Sequence, residues 1–181
     1  MQNAAVIDIT HRVYFVYWRM DMSFNDYQLA IERLKEFDNF VAGSGTSEEY
    51  LTSVEQMLGV KFSPMHRDFL LNYGYIRISP FAVIGLDETN SAELPLLADV
   101  LRLTIEDREV RNLPLEWIPV TLYNGGCFVY LDYSDMIGEE PKAKLKFYNG
   151  IIYYPVDDNY ATDFAGFLLK FEQKIKSQSQ S

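Results

Sequence analysis

The chain has 181 residues, of which 48% are hydrophobic and 15% aromatic. That is enough apolar material for one packed domain and too much for a disordered chain. A formal net charge of −10 disfavours direct binding to nucleic-acid phosphates, no apolar run reaches the ~20 residues of a membrane-spanning helix, and the lone Cys127 allows no internal disulfide, in keeping with a cytoplasmic location.

Residues 1–22 differ from the rest. They show no basic, apolar and small-residue pattern of a signal peptide. The run Val13 to Trp18 is aromatic and β-prone, and reads either as an added edge strand or as a translated leader ahead of Met22. From Ser23 a helical pattern begins. Ser23 and Asp26 resemble a capping box, and Tyr27, Ala30, Ile31, Leu34 and Phe37 share one face. The loop Val41 to Thr46 carries Gly43 and Gly45. Thr46 and Glu49 have capping-box spacing and open a second helix with the stripe Leu51, Val54, Met57 and Leu58. Gly59 sits where a left-handed C-terminal residue belongs. After an extended Val60 to Phe62, Ser63 caps a third helix and Pro64 takes its first position. Phe69, Leu70 and Tyr73 face inward, and Gly74 ends it.

Strand patterns follow. Tyr75 to Ile78 and Phe81 to Gly85 flank a turn at Pro80. A helix opening near Ser91 carries Leu97, Val100, Leu101 and Thr104, and closes at Asn112 and Pro114. Trp117 to Leu122 is a strand whose Pro119 implies an edge or a bulge. Asn124-Gly125-Gly126 signals a hairpin returning through Cys127 to Leu131. Lys142 to Tyr148 alternates, with Ala143, Leu145 and Phe147 inward and three lysines outward. Asn149-Gly150 turns the chain into Ile151 to Tyr154, and Phe164, Phe167, Leu168 and Phe171 line a closing helix. No internal repeat is found. This order predicts one α+β domain over residues 23–176, a mainly antiparallel twisted sheet packed by several helices, with an extension at 1–22 and a frayed tail at 177–181.

The charge is uneven. Residues 87–140 hold twelve acids (Asp87, Glu88, Glu93, Asp99, Glu106, Asp107, Glu109, Glu116, Asp132, Asp135, Glu139 and Glu140) against three bases, Arg102, Arg108 and Arg111. Such a field attracts a basic partner; it also simply keeps a protein soluble. Reactive residues are few. His66 lies in the first turn of a short helix, His11 in the extension, and Cys127 after a hairpin turn, so no catalytic residue is assigned. The loop AGSGTS lacks the Gly-Lys-Ser/Thr ending of a phosphate-binding loop and reads as a flexible cap. Asp132/Asp135 and Asp157/Asp158 lack calcium-loop spacing and read as exposed turn residues. No metal ligand or cofactor is assigned.

The order of these features resembles the SUKH superfamily, which includes bacterial immunity proteins and yeast cell-wall regulators related to Smi and Knr. The carrying residues are Val54-Glu55-x-x-Leu58-Gly59-Val60, the Ser63-Pro64 turn, Phe69-Leu70 and Tyr73-Gly74. They continue with Ile118-Pro119, Gly125-Gly126, Tyr130-Leu131-Asp132 and Ala161-x-Asp163-Phe164-x-x-Phe167-Leu168. Ser63 stands where the family usually has Leu, and the acidic insert from Ser91 to Arg111 is generous. The resemblance implies a non-enzymatic antidote that binds and neutralises a cognate toxin protein, often a nuclease with a basic surface. The alternative is a regulatory adaptor of the Smi/Knr type; an enzyme using carboxylate chemistry is a third reading. On the antidote reading the expected contacts are the acids Asp87, Glu88, Glu93, Asp132, Asp135, Glu139 and Glu140, with Tyr123, Tyr130 and Tyr133 as anchors.

Overall fold

The computed structural model of the protein describes residues 24–86, 99–123 and 126–178. Helix α1 spans residues 24–35, and Tyr27, Ala30, Ile31 and Leu34 are buried along one side of it as their spacing predicts. The expected Ser23 cap and the Val13 to Trp18 run lie outside the described residues. Strand β1 (Phe40–Ala42) comes next, overlapping the start of what the sequence reads as a glycine-rich loop. That loop is pinned: the Gly43 N–H donates to Tyr75 O at 3.0 Å, and the Thr46 N–H to Leu70 O at 3.1 Å. With Thr46 tied to the neighbouring helix, Ser47 takes over as N-cap of α2 (Glu48–Leu58), its Oγ accepting from the Tyr50 N–H at 3.1 Å. Leu51, Val54 and Leu58 form the buried stripe, while Met57, at the margin of that 3–4 spacing, is 55% exposed. Gly59 closes the helix with a φ of 68°. Helix α3 (Pro64–Asn72) has Pro64 in its first turn as expected, but the Ser63 hydroxyl makes no capping bond.

Strands β2 (Ile76–Ile78) and β3 (Phe81–Val83) turn around Pro80. Helix α4 (Val100–Arg111) starts from an Asp99 cap and ends at Asn112, whose φ is 55°. The stretch from Ser91 to residue 98, expected to begin this helix, lies outside the described residues. Strands β4 (Trp117–Tyr123), β5 (Cys127–Ile137), β6 (Glu140–Tyr148) and β7 (Tyr153–Ala161) precede α5 (Phe164–Gln178). Two strands depart from expectation. β5 continues past Leu131 because β6 begins early and pairs Pro141 with Met136 and Glu140 with Ile137. β7 begins late because Asn149 Oδ1 accepts the N–H groups of Ile151 and Ile152, both at 3.0 Å, and holds them in the turn.

All pairings are antiparallel, in the orders β1-β2-β3 and β4-β5-β6-β7. Pro119 lies on an edge strand at a register shift, as its missing N–H demands. The two sheets meet edge to edge: the Ile84 N–H donates to Val120 O at 2.8 Å and Thr121 Oγ1 to Ala82 O at 2.6 Å. One side of this composite carries Ile76, Ile78, Val120, Val129, Leu131 and Ala143, and Phe164, Phe167, Leu168 and Phe171 of α5 pack with them in the core. Phe164 touches rings from three elements, 6.2 Å from Tyr27, 5.3 Å from Phe69 and 5.7 Å from Phe167. The expected α+β class and antiparallel sheet are what the chain builds.

Candidate functional site

Strand alternation sends Val129 and Leu131 into the core and Phe128, Tyr130 and Asp132 to the opposite side of the large sheet. Register places Lys146, Lys144 and Lys142 of β6 beside them in that order. The lysines do leave the core, as expected, but they do not simply extend into solvent. Lys146 Nζ lies 5.0 Å and Lys144 Nζ 5.9 Å from the Trp117 ring centre. Lys144 Nζ is 2.6 Å from Asp132 Oδ2 and 3.3 Å from Asp135 Oδ2, Lys142 Nζ is 2.9 Å from Asp135 Oδ1, and Lys146 pairs with Asp158. Asp132 is 2% exposed and also accepts from the Ser134 N–H at 2.9 Å. Burial would raise its pKa, but bonds from Lys144 and Ser134 outweigh that and hold it below the ordinary value.

The end of α4 lies over part of this side. Tyr130, 0% exposed, donates to Asp107 Oδ2 at 3.1 Å, and its ring packs 5.7 Å from Trp117 and 5.5 Å from Tyr153. Asp107 is itself buried, which raises its pKa; Arg111, Tyr130 and Tyr153 offset part of that rise. The result is a mixed-charge, aromatic surface rather than an acidic one.

The expected contact residues therefore divide. Tyr130 and Tyr123 are enclosed, Tyr123 packing 6.2 Å from Phe81 with its Oη 3.2 Å from Tyr160 Oη. Asp132 is buried against Lys144 and Asp135 is paired with two lysines. Tyr133 and Glu140 belong to a cluster at the start of α3. There Glu140 Oε1 accepts the Met65 N–H at 3.0 Å, taking the capping role that Ser63 leaves open. The Ser63 N–H donates to Tyr133 Oη at 3.3 Å, and Tyr133 Oη lies 2.9 Å from His66 Nδ1. Burial pushes His66 down to about 3, so its ring is neutral, and pushes Glu140 up to about 7. Ser63 Oγ, His66 Nε2 and Glu140 Oε2 meet no partner at hydrogen-bond geometry among the described residues, although Ser63 lies close enough to Glu140 to favour its charged form. Glu139 is exposed; Asp87, Glu88 and Glu93 lie outside the described residues.

Among the other acids of that window, Asp99 and Glu106 pair with Arg102, and Asp107 with Arg111. Glu109, Glu116 and Glu139 are exposed and form no ion pair among the described residues. Register brings Glu116, just before β4, to the same end of the sheet as Glu139 in the β5–β6 turn, beside the exposed Leu115, Met136 and Ile137. Sequence reading overlooked Trp117 and the lysines as parts of one surface. The signal was present in their period-two alternation opposite Phe128, Tyr130 and Asp132, once the hairpin register is known.

The profile of the SMI1-KNR4 cell-wall family, SUKH_5, matches residues 27–170. The chain belongs to this family. The SUKH_5 match runs from α1 into α5, so it takes in every described strand, the α3 cluster and the lysine-bearing side of the sheet. No curated protein matches the chain.

Proposed function

We propose that this SUKH_5 protein is a non-enzymatic binder that neutralises a cognate toxin, a nucleic-acid-targeting enzyme with a basic surface. Membership of the family over residues 27–170 carries the reading. The net charge of −10 supports it, because a nuclease must be basic to hold phosphates and an acidic antidote is drawn to that same surface. The contact surface we assign is the sheet end with Glu116 and Glu139 around Leu115, Met136 and Ile137, where unpaired acids rim exposed apolar side chains. Asp135 lies next to it.

The test is co-expression with the product of the neighbouring gene, which the reading expects to carry a toxin domain. The expected result is restored growth and a stoichiometric complex whose association slows several-fold in Glu116→Lys/Glu139→Lys and depends steeply on salt. Growth arrest with no complex overturns the reading. The family's cell-wall description favours a second one, a regulatory adaptor; that reading predicts capture of several cellular partners and no protection from a toxin.

A further inference from the structure

A cavity of about 540 Å³ opens where the outer side of the small sheet meets the far end of the large one. That volume suits a small molecule. Its wall holds two arginines, Arg77 from β2 and Arg111 from the end of α4, in a protein that is strongly acidic overall. Arg111 is anchored: it pairs with Asp107, and its guanidinium carbon lies 5.0 Å from the Phe128 ring centre and 5.2 Å from that of Tyr148. Arg77 is different. It sits on the middle strand of the small sheet with Val41 and Ala82 as its cross-strand neighbours. Among the described residues it forms no ion pair, and its buried Nε meets no hydrogen-bond partner.

A half-buried guanidinium with an unused donor is costly unless something accepts from it. The rest of the wall is mostly apolar, with Pro80, Ala82, Leu122, Phe128 and Tyr148 beside the polar Ser79, and with Phe81 and Tyr123, whose side chains pack into the core, bordering it. We infer that this cavity binds a small molecule carrying a carboxylate or phosphate on an aromatic ring, the anion bridging Arg77 and Arg111 and the ring lying against Leu122 and Phe128, which are cross-strand neighbours on the same side of the sheet as the arginines. The forked donors of arginine match paired oxygens of either anion. The inference is independent of toxin binding, and its failure would leave that reading intact.

The probes are phenyl phosphate and benzoate, with inorganic phosphate and benzyl alcohol as controls, titrated into the full chain and followed by amide NMR. Saturable shifts at Arg77, Ala82 and Phe128 with phenyl phosphate or benzoate are expected, with binding at least about tenfold tighter than either control. Arg77→Gln is expected to weaken binding by about tenfold or more at unchanged melting temperature, since a hydrogen bond to a charged group is lost. Arg77→Lys, keeping charge without the fork, should fall between. Equal affinity for ring-bearing anions and inorganic phosphate, equal affinity of wild type and Arg77→Gln, or no saturable shift overturns the inference. If Arg77→Gln does not fold, the wild-type contrast between phenyl phosphate and benzyl alcohol still decides it.

Discussion

Glu140 and His66 are buried side by side in the sequence of contacts that starts α3, yet they respond to pH in opposite directions. Burial raises Glu140 to about 7 from 4.5, so the unfolded chain loses that proton first and stability falls as pH rises through that interval. Burial lowers His66 to about 3 from 6.5, so the unfolded chain takes up a proton first and stability falls as pH drops through that interval. Where the intervals overlap, between about pH 4.5 and 6.5, the two slopes oppose one another. Glu140→Gln keeps an acceptor for the Met65 N–H and removes one slope. Urea unfolding should find the variant equal to wild type near pH 4 and more stable by roughly 3 kcal/mol near pH 8. A difference that does not change with pH would refute the assignment.

At the scale of elements, the β5–β6 ladder depends on a charge pair set between strands. Lys144→Met leaves Asp132 buried with only Ser134 beside it, and is expected to cost about 3 kcal/mol at neutral pH. Because Lys144 holds the Asp132 pKa down, that stabilisation is present above the ordinary carboxylate range and is lost as pH falls below it. The gap between variant and wild type in chemical denaturation should therefore narrow toward pH 3. The ladder also shows what sequence reading reaches. Helices α1 and α5, Gly59, Pro64 and the Asn149-Gly150 turn were legible because each rests on neighbours within a few residues. The fate of Asp132 was not, because its partner Lys144 is twelve residues away on another strand. For the same reason the Ser63 cap was misjudged: the acceptor that serves α3 comes from β6.

For the whole molecule, fold class and family followed from the order of motifs, while the pairing and burial of the acids did not, since charge along a chain says little about charge across a surface. The joining of the two sheets also escaped the sequence, and it rests on a tight crossing. A Cβ placed on Gly85 would lie 1.4 Å from Gly74 O, where the exit of β3 passes the end of α3. Gly85→Ala is therefore expected to prevent the native fold, read as loss of the cooperative thermal transition by circular dichroism. A normal melting curve for that variant would mean the crossing is looser than described.

Strand β7 ends the large sheet with no described strand beyond it. Its pairing to β6 is interrupted by two register shifts, and Pro155, Asp157 and Asp158 fall along it. Irregular backbone, a missing amide donor and like charges all discourage a second copy from adding its own strand there. The exposed Ile151, Ile152, Tyr154 and Val156 therefore sit on a border that resists fibril-like stacking, and concentrated solutions of the protein should stay clear where a regular, uncharged border of the same side chains would precipitate.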